Sequence, residues 1–483
     1  MKAKRNIITA FIVVFSWAVA IVFYLFMLNK DFENSKVLIM ILSVLGWVEL
    51  IFCLLTMKNK TGKFFSIYSI FIIFAFLFTY GQCLLWALGV HSEMEIGQQS
   101  LYTFGKATDE SIIRAQMVTL VGLLSFHLGV FWAYRGGRTG EKQEKQESED
   151  GVIKAKRKSL LVAAWICNLI ASPLAVYAIV RSIMINSAFG YGATLYNADV
   201  VSTQNNFLML LCMMYIPSLF GILIGSRYDK KQMTYCYLSF AIYMALSIMA
   251  GDRGEWLFPL LILVWMHHSY HRPIRRRNFV LYLCAATMIA VLGVGIRNTR
   301  SFGVDIVELG EAISVEQNPI ASAIFEMGGS MKPLVILTQY GWNNYPYGNS
   351  YFSAIVGMIT EKPLVAMIPG YKGLSSWFSS EYLGINYGAG FSFIAEAYAN
   401  CGPYLFMFAM IVIGILFSKF IFSNEEKNYV TNPIIAFATV SLANAMILSI
   451  RNTMLVSMKT AFYSILPILI IYYLICFRNR GRA

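Results

Sequence analysis

Blocks of about twenty consecutive apolar residues recur along this chain, and they decide what it can fold into. At a rise of about 1.5 Å per residue, one such block crosses the roughly 30 Å hydrocarbon core of a bilayer. Inside hydrocarbon every backbone polar group must be satisfied within the segment, which selects helix over open sheet. Composition agrees: 57% of the residues are apolar and 13% charged, where soluble domains run near a quarter charged. Mean hydropathy is +0.59. The chain is expected to be an all-α, polytopic integral membrane protein with about twelve transmembrane helices.

The expected spans lie at about 7–27, 37–57, 64–89, 115–134, 159–180, 206–226, 233–250, 255–271, 279–296, 403–422, 430–450 and 457–477. Lys2, Lys4 and Arg5 precede the first apolar run, which is longer than a signal-peptide core of about 7–15 residues, so it reads as a retained helix. Most of the 39 basic residues then fall in alternate loops: Lys58–Lys63, Arg135–Lys158, Arg227–Lys231, Arg272–Arg277, Lys419–Lys427 and the tail from Arg478. The positive-inside rule places those loops, and both termini, in the cytoplasm. Segment 135–158 reads as a charged cytoplasmic linker, and 297–392 as a large extracytoplasmic loop.

That distribution also accounts for the net charge of +13, which in a soluble protein would point to nucleic acid; here it reflects topology and anionic headgroups, and no nucleic-acid partner is expected. The eight Cys show no paired spacing and read as small apolar packers. His267, His268 and His271 sit beside four Arg and read as an interfacial basic cluster, so no metal site is expected. Nucleotide-binding, zinc-protease and serine-hydrolase motifs are absent from the sequence, and no cofactor is expected. The helix middles read as nearly free of ionisable residues, whereas transporters commonly carry them there.

Cations on the disfavoured side are the informative residues. Arg181, Arg253, Arg297, Arg300, Arg451 and Lys459 fall at or beyond the expected extracytoplasmic helix ends. Arg253 lies in the turn Gly251-Asp252-Arg253-Gly254-Glu255, and Arg451 in the turn Arg451-Asn452-Thr453. Guanidinium is the fixed-charge, forked donor suited to phosphate. Converging at the outer leaflet, these side chains would hold a lipid-linked diphosphate; pairing with Asp252, Glu255, Asp305 or headgroups is the alternative. The segment 297–392 carries Trp342, Tyr345, Tyr347, Tyr351, Trp377 and Tyr382, residues that serve sugar stacking and interfacial anchoring equally well.

These features together carry a resemblance. The many spans, the GDRGE turn, the patch YPYGNSY (345–351) and the patch GAGFSFIAEAYANCGP (388–403) resemble the Wzy-type polymerases of O-antigen and capsule repeat units. The family pattern Glu-Ala-Tyr then Asn-Phe-Gly reads here Glu396-Ala397-Tyr398-Ala399-Asn400-Cys401-Gly402, with Cys in place of the aromatic. The resemblance implies a GT-C-like membrane glycosyltransferase in the bacterial cytoplasmic (inner) membrane. It would pass a growing glycan from a polyprenyl diphosphate to a hydroxyl of a second lipid-linked repeat unit, without a nucleotide sugar. A chain-length regulator and a flippase are the expected protein partners.

On this expectation Arg253, Arg297, Arg300, Arg451 and Arg181 bind the diphosphate, with Arg253 and Arg297 counted as catalytic. Glu396 is the candidate base, ahead of Glu326 and Asp252. Tyr347, Tyr351, Tyr398 and Asn400 are the candidates for glycan contact. The alternatives are a lipid-linked oligosaccharide flippase, an O-antigen-ligase-like transferase, for which His91 is the single extracytoplasmic His, and a non-catalytic assembly partner.

Overall fold

The computed structural model describes residues 2–30, 32, 35–134, 151–189, 206–250, 254–274, 318–385, 387–423 and 425–480. The described residues are overwhelmingly helical and contain no strand beyond one isolated bridge between Ser100 and Lys106. Ten helices among them are long and apolar enough to cross a membrane by length and composition. Nine of the ten overlap expected spans, and Ile320–Tyr340 overlaps none. Lys230–Met249 is helical but falls outside the ten, and Gly254–Met266 is only 13 residues long before a π-helical turn at His267–His271. The expected span 279–296 lies outside the described residues.

The chain divides into two compact units. Unit 1 gathers Met1–Gly136, Ala321–Ser423 and Met446–Lys459. Its first four helices run Lys2–Met27, Ser35–Thr61, Ile67–Trp86 and Asp109–Ala133. Ser66 and Thr108 cap the third and fourth, each side chain accepting an N–H three residues on, and Asp109 and Glu110 complement the dipole of the fourth. The core is an aromatic stack of Phe71, Phe126, Phe393 and Phe417, with ring centroids 4.8–5.9 Å apart.

The helix Phe393–Phe417 is in fact a hairpin. Gly402 has φ 68° and ψ −176°, and Pro403 follows it. In a straight helix Tyr398 and Phe406 would stand about 12 Å apart along the axis, yet their rings are 5.8 Å apart. Ile394 and Phe406 likewise both close on Gly122. The arm from Phe393 therefore rises toward the Trp86 end of the unit, reverses at Gly402, and descends. Tyr24 donates its hydroxyl to the Pro403 carbonyl (3.0 Å) and pins the reversal. Gly129 and Gly414 let the descending arm meet the Asp109–Ala133 helix backbone to backbone, the small-residue contact favoured between membrane helices.

Segment Ile320–Tyr340 meets the length and hydropathy of a span, although the sequence reading leaves it inside the long loop. It is built of two helices, Pro319–Gly328 and Lys332–Tyr340, joined by a 3-10 turn. Its first half takes a hydrogen bond from Gln82 Nε2 to the Phe325 carbonyl (2.8 Å), and its second half meets Ser111 through Gln339 (2.9 Å). Gln82 and Ser111 both stand within about a turn of the Trp86 end of their helices, so this segment runs across that end.

Two interior residues correct the expectation of clean helix middles. Glu49 sits midway along Ser35–Thr61, with Oε1 buried and without a hydrogen-bond partner among the described residues. His127 is fully buried, its ring nitrogens bonded to the Tyr68 hydroxyl (2.5 Å) and the Thr56 hydroxyl (3.0 Å). Thr56 already donates to the Phe52 carbonyl, so it accepts from His127 Nε2–H, and Tyr68 donates to Nδ1. His127 thus ties three helices together as a neutral ring.

Unit 2 gathers Gly137–Ile320, Asn424–Ala445 and Thr460–Ala483. Its helix Gly151–Phe189 takes in the last eight residues of the expected charged linker, and Arg157 is buried rather than solvated. The guanidinium donates to the carbonyls of Ile224 (2.8 Å) and Tyr429 (2.5 Å) and lies 4.9 Å from the Tyr429 ring centroid. Asn168 joins Ser218 (2.8 Å) and Tyr235 (2.5 Å) in a polar knot inside the helix pack.

Candidate functional site

The site is built at the Trp86 end of unit 1 by residues far apart in sequence. Ser392 caps the rising arm of the hairpin, accepting the Ala395 N–H, and so fixes where the first helical turn presents Glu396. Glu396 is 0% exposed. Ser350 Oγ donates to Glu396 Oε1 (2.6 Å) and the Met454 N–H donates to Oε2 (2.6 Å). One turn on, Asn400 closes the knot: its Nδ2 donates to Ser350 Oγ (2.8 Å) and its Oδ1 accepts the Ser350 N–H (2.8 Å). One carboxylate thereby joins the rising arm, the Ser350–Gly357 helix and the turn that carries Arg451. Buried carboxylates of this kind are tolerated where both oxygens are engaged.

Arg451 is exposed, and its backbone is clamped: the N–H donates to Leu448 O (3.1 Å), and its own carbonyl accepts the Phe391 N–H (3.1 Å). Its guanidinium acts on Tyr102, whose phenol is pushed up to about 12 by burial and by Tyr387, with Arg451 opposing. Lys332 Nζ stands 5.8 Å from the same ring centroid. Tyr102 donates to the Ala389 carbonyl (2.7 Å), which holds the ring in reach of both cations. The arrangement brings two positive charges to one phenol ring, the chemistry that receives an anion.

An aromatic wall flanks it. Tyr345 packs against Tyr347 (5.5 Å) and Trp377 (5.3 Å), Trp377 stacks on Tyr382 (5.1 Å), and Phe104 lies against Tyr382 (5.5 Å). Tyr351 lies near Glu396; burial and that neighbour push its phenol well above the usual range. Its hydroxyl is buried and lacks a hydrogen-bond partner among the described residues. An added hydroxyl or water would complete it.

Of the sequence-predicted residues, Glu396, Arg451, Tyr347, Tyr351, Tyr398 and Asn400 all belong to unit 1. Arg181 is half-buried in the Gly151–Phe189 helix of unit 2. Arg253, Arg297, Arg300 and Asp252 lie outside the described residues. Glu326, the second candidate base, is on the Pro319–Gly328 helix. Lys459 pairs with Glu361, the bland alternative for a misplaced cation. Both partners are about one-third exposed, so the pair is worth at most about 1 kcal/mol. Lys459→Ala is accordingly expected to leave glycan chain length within about twofold of wild type on a gel; a collapse to single units would place Lys459 in the reaction.

Sequence reasoning missed Lys332, Ser350 and Tyr102. Lys332 is hidden in an apolar stretch, and Ser350 is linked to Glu396 only by long-range packing. The sole available signal was that Ser350 and Asn400 each fall within the two family-like patches.

No curated protein and no solved structure matches the chain. A family model, O-antigen polysaccharide polymerase Wzy, matches residues 7–480. With nearly the whole chain covered and a multi-pass helical architecture around the site, this protein belongs to the Wzy family of O-antigen polysaccharide polymerases.

Proposed function

We propose that the protein joins repeat units carried on polyprenyl diphosphate, at the outer face of the cytoplasmic membrane, with the Trp86 end of unit 1 facing outward and both termini cytoplasmic. The observation that carries this reading is the pair Arg451 and Lys332 near Tyr102, together with the Glu396 knot and the aromatic wall. In the reaction the bond from the donor's anomeric carbon to the diphosphate breaks, and the diphosphate leaves with the electron pair. A bond to the acceptor oxygen forms, and the acceptor's proton passes to a base. Fixed cations stabilise the leaving charge without a metal, each such contact being worth about 3 kcal/mol. Arg253, Arg297 and Arg300 are proposed as further members of the cation set, and Arg181 as a weaker one.

Glu396 acts here by position. Each oxygen accepts one hydrogen bond and the group is fully buried, so an acceptor hydroxyl reaches the carboxylate only if the side chains around it move aside. Tyr347, Tyr351 and Asn400 line the glycan side of the reading. Tyr351→Phe removes a buried hydroxyl that has no partner among the described residues. Its thermal midpoint is therefore expected to be unchanged or slightly raised, while chain extension falls about tenfold; unchanged extension would remove Tyr351 from the glycan path.

Purified protein given polyprenyl-diphosphate repeat units alone, with chelator and no nucleotide sugar, tests the reaction. Longer lipid-linked glycans together with released polyprenyl diphosphate are expected, and Arg451→Ala lowers the rate about 100-fold. No extension by wild type, or extension only when a nucleotide sugar or metal is added, would overturn it.

A further inference from the structure

The flank of unit 1 beside the site carries an apolar groove that none of the foregoing uses. It encloses about 380 Å³ between the Lys2–Met27 helix and the descending arm of the hairpin, and is lined by Trp17, Ile21, Leu25, Tyr404, Met407 and Phe408. That volume is in the range of small-ligand clefts. From Trp17 to Leu25 the groove follows about 12 Å of helix. Trp17 holds its lower part by donating to Ser125 Oγ (2.9 Å), and the Tyr24–Pro403 bond holds its upper part at the Trp86 end.

Arg114 stands at that upper end, in the second turn of the Asp109–Ala133 helix. One edge of its guanidinium pairs with Glu110 (2.5 Å). Its Nε is buried and donates to nothing among the described residues. The cation lies within electrostatic reach of Tyr24 and Tyr398, the first beside the groove and the second on the Glu396 arm. An apolar channel headed by an incompletely used forked donor is complementary to an apolar chain that ends in phosphate.

We infer that this groove seats the polyprenyl chain of one of the two lipid-linked substrates, with Arg114 meeting its diphosphate. The inference rests on the lipid-carrier reading above. A bilayer phospholipid also offers an apolar chain and a phosphate. The carrier is favoured by continuity with the site: Tyr404, Met407 and Phe408 belong to the arm that Gly402 folds against Glu396 and Asn400. A chain seated there delivers its diphosphate to the end that carries Arg451 and Lys332. Two carriers must meet in each transfer, and Arg114 supplies a second anion-binding position for them.

The test is binding of a photoreactive polyprenyl diphosphate to the full-length protein in detergent, in competition with phosphatidylglycerol. Ala18→Trp fills the groove, since Ala18 also lines it, and Phe408→Ala removes a wall; Val19→Trp, at an exposed position that does not line it, is the control. Affinity is expected to fall tenfold or more (about 1.4 kcal/mol) in the first two variants and to stay at the wild-type value in the control, with label mapping to Trp17–Leu25. Arg114→Gln is expected to narrow the preference for polyprenyl diphosphate over uncharged polyprenol by a similar factor. Wild-type affinity in both groove variants, or equal displacement by phosphatidylglycerol, would overturn the inference and leave the lipid-carrier reading standing. Wild-type protein that binds no polyprenyl diphosphate would overturn that reading itself.

Discussion

Glu396→Ala is expected to abolish long glycan chains and to lower the thermal midpoint of the purified protein by several degrees. Truncation leaves the Ser350 hydroxyl and the Met454 N–H without acceptors in a fully buried place. Each orphaned buried donor costs about 1–3 kcal/mol, and the turn bearing Arg451 loses the bond that holds it to the rising arm. Glu396→Gln is expected to be far milder. Its amide oxygen still accepts from Met454, and only the Ser350 contact becomes a mismatch of donors, because Asn400 already donates to the same hydroxyl. The Gln variant should keep its midpoint within a few degrees and its chain extension within about tenfold of wild type. Complete loss of extension at an unchanged midpoint in the Gln variant would mean that the carboxylate removes the acceptor proton itself.

Gly402→Ala is expected to leave little folded protein. The residue holds φ 68° with ψ −176°, a combination essentially confined to glycine and costing a side-chain-bearing residue about 1–3 kcal/mol. An added Cβ would also stand 2.9 Å from Trp342 Cζ2, with Cε2 and Cη2 at 3.1 Å. The ring belongs to the aromatic-rich segment and has the hairpin reversal beneath it. Trp342→Ala in the same chain removes the clash but not the backbone strain, so partial rescue is expected, measured as monodisperse yield in detergent. Tyr24→Phe, which removes only the hydrogen bond to Pro403, is expected to cost about 1 kcal/mol. Wild-type yield from Gly402→Ala would contradict the hairpin.

The membrane architecture was legible because a span is a local property. Twenty apolar residues announce themselves in isolation, and most of the described spans fall where hydropathy put them. The Gly402-Pro403 pair was also visible as a break, and the expected span began at residue 403. That Phe393–Cys401 forms a helix folded back on the next one was not visible, because its apolar pattern simply runs on. The same locality explains the rest. Ile320–Tyr340 has the composition of a span, and only its partners Gln82 and Ser111 show that it lies across one end of the unit. Glu396 and Asn400 were singled out by family likeness, but their meeting with Ser350 and Met454 spans 46 to 58 residues of sequence. Glu49 was overlooked because a lone carboxylate in an apolar run barely lowers its hydropathy.

The central claim is that this chain extends glycans on the outer face by means of the cations around Tyr102. Surface-glycan laddering tests it most directly, in a strain deleted for the gene and complemented with wild type or Arg451→Ala. The account predicts single repeat units at the surface in the deletion strain, full ladders with wild type, and single units again with Arg451→Ala at normal protein levels. Accumulation of lipid-linked repeats on the cytoplasmic face, or ladders that do not change, would contradict it.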